Sequence, residues 1–138
     1  MVAQKDITVL WADDEIDLLR PHILFLETKG YRVITVTNAN DALNVVAQQK
    51  VDIIFLDENM PGKSGLEIIL PLKQLLPFVP VVMITKSEEE NVMNNAIGAK
   101  IDDYLIKPVN PNQILLSIKK HVENRPLVVS TTTQSYQM

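Results

Sequence analysis

The chain has 138 residues, a length that fits one domain because single hydrophobic cores usually divide only beyond about 250 residues. Hydrophobic residues make up 46% and charged residues 22%, which predicts a globular chain that is ordered over most of its length. The net charge of −4 argues against direct binding to nucleic acid, and the absence of cysteine excludes disulfides, thiol nucleophiles and cysteine-ligated metal sites. The apolar stretch near the N-terminus is too short for a signal peptide or a membrane span, so we expect a cytoplasmic protein without membrane insertion.

Short apolar runs alternate with amphipathic segments along the chain. The predicted strands are Ile7–Trp11, Arg32–Val36, Ile53–Leu56, Val81–Ile84 and Tyr104–Ile106. Helical spacing of apolar residues predicts five helices, marked by Ile16, Leu19, Ile23 and Leu26, by Ala42, Val45 and Val46, by Leu66, Ile69 and Leu70, by Val92 and Ala96, and by Ile114, Ile118 and Val122. Pro21 and Pro71 fall inside the first and third helices, so we expect kinks or late helix starts there.

The alternation of strands and helices predicts a three-layer, doubly wound α/β fold, because right-handed crossovers place helices on both faces of a parallel sheet. The apolar runs IIFL and VVMI suit strands that are buried on both faces. The pattern stops after Val122, so we expect a domain at residues 1–123 and a linker, or the start of another region, at residues 124–138. Ligands of such sheets bind beyond the carboxyl ends of the strands.

Polar residues follow four of the five predicted strands. They are Asp13 and Asp14 after the first strand, Asp57 and Asn59 at the third, Thr85 after the fourth and Lys107 after the fifth. If these ends converge, three carboxylates and one ammonium leave a net charge of −2, which a divalent cation with oxygen ligands would neutralise. Mg²⁺ is the natural candidate. A carboxylate can also attack phosphorus to form an aspartyl phosphate.

Each of these residues also has a structural interpretation. The acidic trio Asp13, Asp14 and Glu15 is typical of a helix start, which is the favoured interpretation of that trio in isolation. Asp57 could begin a turn, Thr85 could cap a helix, and Lys107 could be a solvated charge. Four such coincidences at four strand ends are improbable, and three crowded acids without a cation repel one another. The set therefore indicates function.

Four motifs, WADDE, FLDENMPGKSGLE, VVMITKS and DYLIKPVNPNQIL, resemble in order and spacing the receiver domain of two-component response regulators. The resemblance covers residue 7 to about residue 123. It implies a flavodoxin-like sheet with strand order 2-1-3-4-5 and a histidine kinase as phosphodonor. It also implies a switch that catalyses only its own phosphorylation and dephosphorylation, and that controls dimerisation or an output domain through the fourth helix, fifth strand and fifth helix. Any true enzyme domain would lie beyond residue 138.

The same resemblance assigns roles around one phosphoacceptor. Asp57 would accept the phosphoryl group. Asp14 and Asp57 would bind Mg²⁺ together with the backbone carbonyl of Asn59, and Asp13 would act mostly through water.

Further residues match the switch of that family. Thr85 and Lys107 would contact the phosphoryl oxygens, and Tyr104 would be the switch aromatic. The Lys107–Pro108 peptide is expected to be cis. Lys86 departs from the pattern, because many receivers carry a small residue after the switch threonine. Its side chain would either obstruct the site or, in the favoured interpretation, point into solvent.

Two long phrases of the sequence carry a narrower resemblance within this family. The phrases LWADDEIDLLRPHILFLETKGY and LIKPVNPNQILLSIKK are similar to the receivers of type IX secretion regulators with a PglZ-type output domain, which implies secretion-motor or sigma-factor partners.

A phosphate-independent interaction module stays open, although the intact acidic set argues against it. A metal-dependent phosphatase stays open too, although Asn59 stands where such enzymes place a general acid. His22 and His121 have no partner at ligand spacing and are assigned to helix surfaces.

Overall fold

A computed structural model describes residues 6–86, 94–95, 97–98 and 101–123. The strands are β1 (Thr8–Ala12), β2 (Arg32–Val36), β3 (Ile53–Asp57), β4 (Val81–Thr85) and β5 (Asp103–Ile106). The α-helices are α1 (Arg20–Thr28), α2 (Ala39–Gln48), α3 (Gly65–Leu75) and α4 (Pro111–Ile118). A 3-10 turn at Ile16–Leu19 precedes α1, and a π-helical segment at Lys119–Glu123 continues α4. None of the helices described is long and apolar enough to cross a membrane.

The five strands form one parallel sheet in the order β2-β1-β3-β4-β5. This order confirms the predicted doubly wound, flavodoxin-like fold. The count of five helices is met only in part, because the markers of the fourth predicted helix, Val92 and Ala96, lie outside the described residues. Residues 94–95 and 97–98 beside them are helical. The predicted linker at 124–138 lies outside the described residues as well.

Alternate residues of the strands build a core on each face of the sheet. On β1, Leu10 and Ala12 pack with α2 and α3, whereas Val9 and Trp11 pack with α1 and α4. All five residues of β3 and of β4 are buried. Because both faces are covered, the backbone at the carboxyl ends of these two central strands is held in place from both sides.

The boundaries of four strands differ by one residue from the prediction. β1 begins and ends one residue later, β5 begins one residue earlier, β3 extends to Asp57, and β4 extends to Thr85. The extensions follow from the sheet register, which pairs Asp57 with Ile84 and Thr85 with Ile106. The two polar residues are therefore the last residues of buried strands and not the first residues of loops.

The two prolines behave differently. Pro21 is in the first turn of α1, where its missing N–H would have no partner in the helix, and the late helix start that we expected is confirmed. Pro71 lies in the interior of α3, and the helix nevertheless continues to Leu75. Three other helices begin at polar caps, since Asn38, Ser64 and Asn110 each accept a backbone hydrogen bond from the first turn.

Candidate functional site

An acidic cluster lies at the carboxyl edge of the sheet. Asp13 and Asp14 follow β1, and Asp57 ends the neighbouring strand β3. One oxygen from each of the three carboxylates lies within 4.8 Å of the other two. Asp13 and Asp57 are buried, and Asp14 is exposed. Three hard oxygen donors that converge with one side open to solvent suit a divalent cation such as Mg²⁺.

Lys107 joins this cluster from the loop after β5. Its Nζ lies 2.8 Å from Oδ2 of Asp13 and 3.4 Å from Oδ2 of Asp57, and its side chain is only 13% exposed. Its backbone N–H donates to the carbonyl of Thr85 at 2.8 Å, which ties the end of β5 to the end of β4. The Lys107–Pro108 peptide is cis, as the resemblance implied. Strand ends that are 94 residues apart in sequence thus meet at one site.

The acidic cluster carries more negative charge than positive charge. Burial, followed by the charge of Asp13, raises the pKa of Asp57 to about 6, although Lys107 and the N–H of Asn59 act in the opposite direction. Burial alone lowers the pKa of Lys107, but its hydrogen bond to Asp13 and the charges of Asp57 and Asp13 together raise it above the usual value. One ammonium therefore faces several carboxylates, and negative charge remains for a cation to neutralise.

Backbone contacts orient the acidic loops. The N–H of Glu15 donates to Oδ1 of Asp13 at 2.8 Å, and the N–H of Asp13 donates to the carbonyl of Val36 at 3.0 Å. The N–H of Asn59 donates to Oδ1 of Asp57 at 3.4 Å. Beside these contacts lies a cavity of about 260 Å³, which we call the acidic cavity, lined by Asp14, Glu15, Asp57, Asn59, Lys86 and Lys107.

Thr85 and Tyr104 lie on the two strands beyond β3. Thr85 is the buried last residue of β4, next to the strand that ends in Asp57. Tyr104 is the second residue of β5, pairs in register with Met83, and packs at the margin of the core on the α2 and α3 side. Thr85 is thus at the edge that carries the acidic cluster, whereas Tyr104 stands further back along its strand.

Lys86 and Glu15 form an ion pair at the rim of the acidic cavity. Nζ of Lys86 lies 3.3 Å from Oε1 of Glu15, with side-chain exposures of 68% and 42%. The same Glu15 oxygen lies 3.9 Å from Nζ of Lys107. The sequence concealed this role, because an acid after a strand is typical of a helix cap, yet the side chain of Glu15 makes no capping hydrogen bond.

The two histidines are not simple surface residues, so that assignment needs correction. Nε2 of His22 lies 2.6 Å from the carbonyl oxygen of Val109, and its ring meets Trp11 edge-on at 6.2 Å. This contact links α1 to the loop after β5. Nε2 of His121 lies 3.3 Å from Oδ2 of Asp103, and the His121 side chain is only 13% exposed. Both partners are distant in sequence, so helical periodicity could not reveal them.

Gly65 is a further residue whose role sequence reasoning missed. It is the first residue of α3, and a Cβ there would collide with the backbone carbonyl oxygen of Asp57. Its N–H donates to the carbonyl of Glu58 at 2.9 Å, and the N–H of Leu66 donates to Oε2 of Glu58 at 3.0 Å. The start of α3 therefore packs directly against the end of β3.

Comparison with known proteins gives one consistent result. Residues 9–119 match the model of the response regulator receiver domain. The chain is 32% identical to the alginate biosynthesis transcriptional regulatory protein AlgB of Pseudomonas aeruginosa, over 91% of this chain and 28% of that protein. It is 35% identical to the phosphate regulon transcriptional regulatory protein PhoB of the same species, over 81% of this chain and 50% of that protein. The chain thus spans half or less of these relatives.

Solved structures agree with this result. A CheY-like receiver domain protein from Methanospirillum hungatei superimposes with a TM-score of 0.81 at 25% identity, covering 86% of this chain and 94% of that chain. A response regulator protein from Burkholderia pseudomallei superimposes with a TM-score of 0.76 at 26% identity, covering 94% of this chain and 78% of that chain. The second structure contains a phosphorylated aspartic acid, a calcium ion and citrate.

Proposed function

Because the chain belongs to the response regulator receiver family, we propose that it is a phosphoacceptor switch in which Asp57 takes a phosphoryl group from a histidine kinase in a Mg²⁺-dependent reaction. The observation that carries the proposal is the convergence of strand ends. Asp13, Asp14 and Asp57 lie within one cation's reach of each other, and Lys107 pairs with the two buried members. Residues that served only as unrelated helix caps and turn residues would not be expected to converge at one point.

The metal ligands in this proposal are Asp14, Asp57 and the backbone carbonyl of Asn59, with Asp13 acting mostly through water. Asp14 is exposed and Asp57 lines the acidic cavity, so both can offer an oxygen to an incoming ion. Asp13 is buried and already engaged by Lys107, which suits an outer role. When bound, Mg²⁺ would neutralise the excess negative charge and favour approach of a dianionic phosphoryl group.

The chain's own residues supply the remaining chemistry. A carboxylate oxygen of Asp57 attacks phosphorus, the bond from phosphorus to the kinase's imidazole nitrogen breaks, and its electron pair leaves with the imidazole. The ammonium of Lys107 lies 3.4 Å from Oδ2 of Asp57, so it can stabilise charge on the transferred oxygens. We assign a hydrogen bond from the Thr85 hydroxyl to the same oxygens, since Thr85 ends the next strand.

The proposed output is a change of surface. The phosphoryl group adds charge that Thr85 and Lys107 can bind, and movement of Thr85 makes room for Tyr104 to rotate inward. Residues 88–122, which include β5 and α4, would then present a different face to a second copy of the chain or to an output domain. We therefore expect phosphorylation to favour a homodimer or a partner complex.

A narrower proposal concerns identity within the family. The long phrases around β1, α1 and α4 resemble the receiver of PorX, the response regulator of type IX secretion, whose partners would include secretion-motor or sigma-factor proteins. The relatives described above are transcriptional regulatory proteins, so a DNA-binding output is the competing expectation. The coding sequence after residue 138 separates the two, since a PglZ-type region supports the first and a DNA-binding module the second.

Phosphorylation of Asp57 can be tested by intact mass. We expect the wild-type protein to gain one phosphoryl group from acetyl phosphate with Mg²⁺, and to gain none after chelation of the metal. Asp57→Asn should fold normally yet stay unlabelled, because an amide is nearly isosteric with a carboxylate but does not attack phosphorus. Asp17→Asn is the matched control, since Asp17 is exposed and pairs with Arg20 at the surface.

Two results would contradict the proposal. Labelling that persists in Asp57→Asn would place the acceptor elsewhere. A folded wild-type protein that takes no phosphoryl group would support a phosphate-independent interaction module.

A further inference from the structure

A second cavity adjoins the acidic cavity. It has a volume of about 420 Å³ and shares Glu15, Lys86 and Lys107 with the acidic cavity. Its other walls are mostly apolar, formed by Leu18, Leu19, Pro108 and Val109. We call it the apolar cavity. A molecule that reaches Asp57 past the three shared residues therefore has an apolar surface beside it.

The walls of the apolar cavity are held in place although the cavity is open. The contact of His22 with the carbonyl of Val109, at 2.6 Å, ties α1 to the loop that carries Lys107 and Pro108. Leu18 stands on the 3-10 turn before α1 and is 71% exposed, so this large apolar side chain lies largely in water. The described residues thus leave a fixed apolar wall unpaired next to two ammonium groups.

We propose that the apolar cavity receives the acyl chain of a small phosphodonor, an acyl phosphate with several carbons, while the phosphoryl group of that donor occupies the acidic cavity. This inference rests on the proposed function of Asp57. In the transfer, a carboxylate oxygen of Asp57 bonds to phosphorus. The bond from phosphorus to the acyl oxygen breaks, and its electron pair leaves with the fatty carboxylate, so charge and electrons balance.

The apolar cavity can take the leaving group, because it adjoins the acidic cavity through a shared wall. The attacking and leaving oxygens of a phosphoryl transfer lie roughly in line, so the leaving group points away from Asp57. Asp57 lines only the acidic cavity, whereas the leucines line only the apolar one, and the shared wall lies between them. Lys86 and Lys107 in that wall can bind the anionic phosphoryl group, whereas the carboxylate of Glu15 in the same wall repels it. A short acyl chain would then cover the exposed side chain of Leu18.

Donor preference measures this contact. Burial of one methylene is worth about a fourfold change in rate or affinity, so butyryl phosphate, with two more methylenes than acetyl phosphate, should phosphorylate the wild-type protein with a kcat/KM up to about fifteenfold higher. Leu18→Ser should bring this ratio close to one. Leu24→Ser is the matched control, since Leu24 is also exposed, at 61%, but lies outside the apolar cavity. That variant should keep the wild-type ratio.

Binding without transfer gives a second readout. Butyrylphosphonate lacks the bridging oxygen of butyryl phosphate and bonds its acyl carbon directly to phosphorus, so it cannot transfer its phosphoryl group. With Mg²⁺ present, it should shift the methyl resonances of Leu18, Leu19 and Val109 more than acetylphosphonate does.

The outcomes separate this inference from the proposed function. If a folded wild-type protein is labelled by neither acyl phosphate, the phosphoacceptor proposal fails and the inference fails with it. If both donors label Asp57 with equal kcat/KM, or if Leu18→Ser and Leu24→Ser change the ratio equally, the phosphoacceptor proposal stands and the acyl subsite is overturned. A preference for butyryl phosphate that depends on Leu18 supports the subsite.

Discussion

At Asp57, burial and the charge of a neighbouring acid act together to raise the pKa of the carboxyl group. Asp57 ends a buried strand, and its carboxylate lies beside the buried Asp13 and one ammonium, that of Lys107. Its pKa of about 6 reflects burial first and the charge of Asp13 second. A carboxylate in these surroundings gains from any additional positive charge, which is what a divalent cation supplies.

Metal binding should depend on individual carboxylates and on pH. We expect Asp14→Ala and Asp57→Ala each to weaken Mg²⁺ binding by roughly tenfold or more, because each removes a charged oxygen ligand. Because protons compete with the metal for Asp57, wild-type affinity should be highest above pH 6 and fall as the pH is lowered through about 6. Calorimetric titration measures both effects. Asp17→Ala is the surface control, and equal affinities in all variants would remove the metal-site assignment.

The ion pair of Lys86 and Glu15 should influence how long the phosphoryl group survives. Lys86 lines the acidic cavity, so its ammonium can cover a phosphoryl group on Asp57 and hinder attack by water. We expect Lys86→Ala to shorten the phosphoryl lifetime a few-fold. Glu15→Gln should lengthen it, because Lys86 is then free of its 3.3 Å ion pair. Loss of phosphate is followed by intact mass against time.

A matched control for this experiment is Lys50→Ala. Lys50 is 76% exposed and precedes β3, at the opposite edge of the sheet from Asp57. Its removal tests whether loss of any surface ammonium changes the lifetime. Lifetimes that are equal in wild type, Lys86→Ala and Glu15→Gln would show that the rim ion pair does not protect the phosphoryl group.

At the scale of elements, the contact between β3 and α3 determines where Asp57 stands. The loop between them is short, and it is closed by hydrogen bonds from the N–H groups of Gly65 and Leu66 to Glu58. Burial raises the pKa of Glu58, although the N–H of Leu66 opposes this effect. The helix thus begins directly against the backbone of the phosphoacceptor residue, and only glycine leaves room for that approach.

Gly65→Ala should therefore disturb the site from the helix. The new Cβ would collide with the carbonyl oxygen of Asp57, so either β3 or α3 must shift. We expect a loss of about 1 to 3 kcal/mol in the free energy of unfolding, and slower labelling of Asp57. Gly98→Ala is the control, because a Cβ there meets nothing within 4 Å and alanine favours a helix by up to about 1 kcal/mol. Urea denaturation measures the free energy of unfolding of both variants, and equal values would contradict the collision.

At the scale of the whole molecule, the two central strands form a rigid support. A structural change caused by phosphorylation must therefore occur at their ends. β3 and β4 are buried throughout, whereas every residue of β5 is only partly buried. A phosphoryl group at the end of β3 can therefore change β5 and α4 more easily than it can change the centre of the sheet. Ligand-driven change requires different affinities for two states, so this proposal must show a measurable coupling.

A phosphoryl mimic should change the self-association of the protein and the protection of the proposed output face from hydrogen exchange. With beryllofluoride and Mg²⁺, we expect tighter self-association or partner binding, by roughly 1 to 3 kcal/mol, and altered hydrogen exchange across residues 85–122. Sedimentation and exchange mass spectrometry measure these effects. Asp57→Asn should not respond. Thr85→Ala should bind the mimic without the change in exchange. A mimic that binds but alters neither observable would favour a phosphate-independent module.

Much of the architecture could be predicted from the sequence, because strands and helices that are buried on one or both faces carry apolar residues at characteristic spacings. Apolar runs such as Ile53–Leu56 predicted strands that the structure confirms, and strand–helix alternation predicted the parallel sheet. The polar residues after those strands were predicted to meet because the carboxyl ends of parallel strands share one edge. Asp13, Asp14, Asp57 and Lys107 do meet there, although their chemical roles stay predictions.

Only the tertiary structure decided which residues surround that edge. The pairing of Lys86 with Glu15, and that of His22 with Val109 across 87 positions, depend on how separate loops approach one another, and no local periodicity records such an approach. The apolar cavity likewise lies between the 3-10 turn before α1 and the loop after β5, two segments that the contact of His22 with Val109 joins. Local sequence thus determined the elements and the end of the sheet that bears the site, whereas packing between distant segments determined the shape of the site.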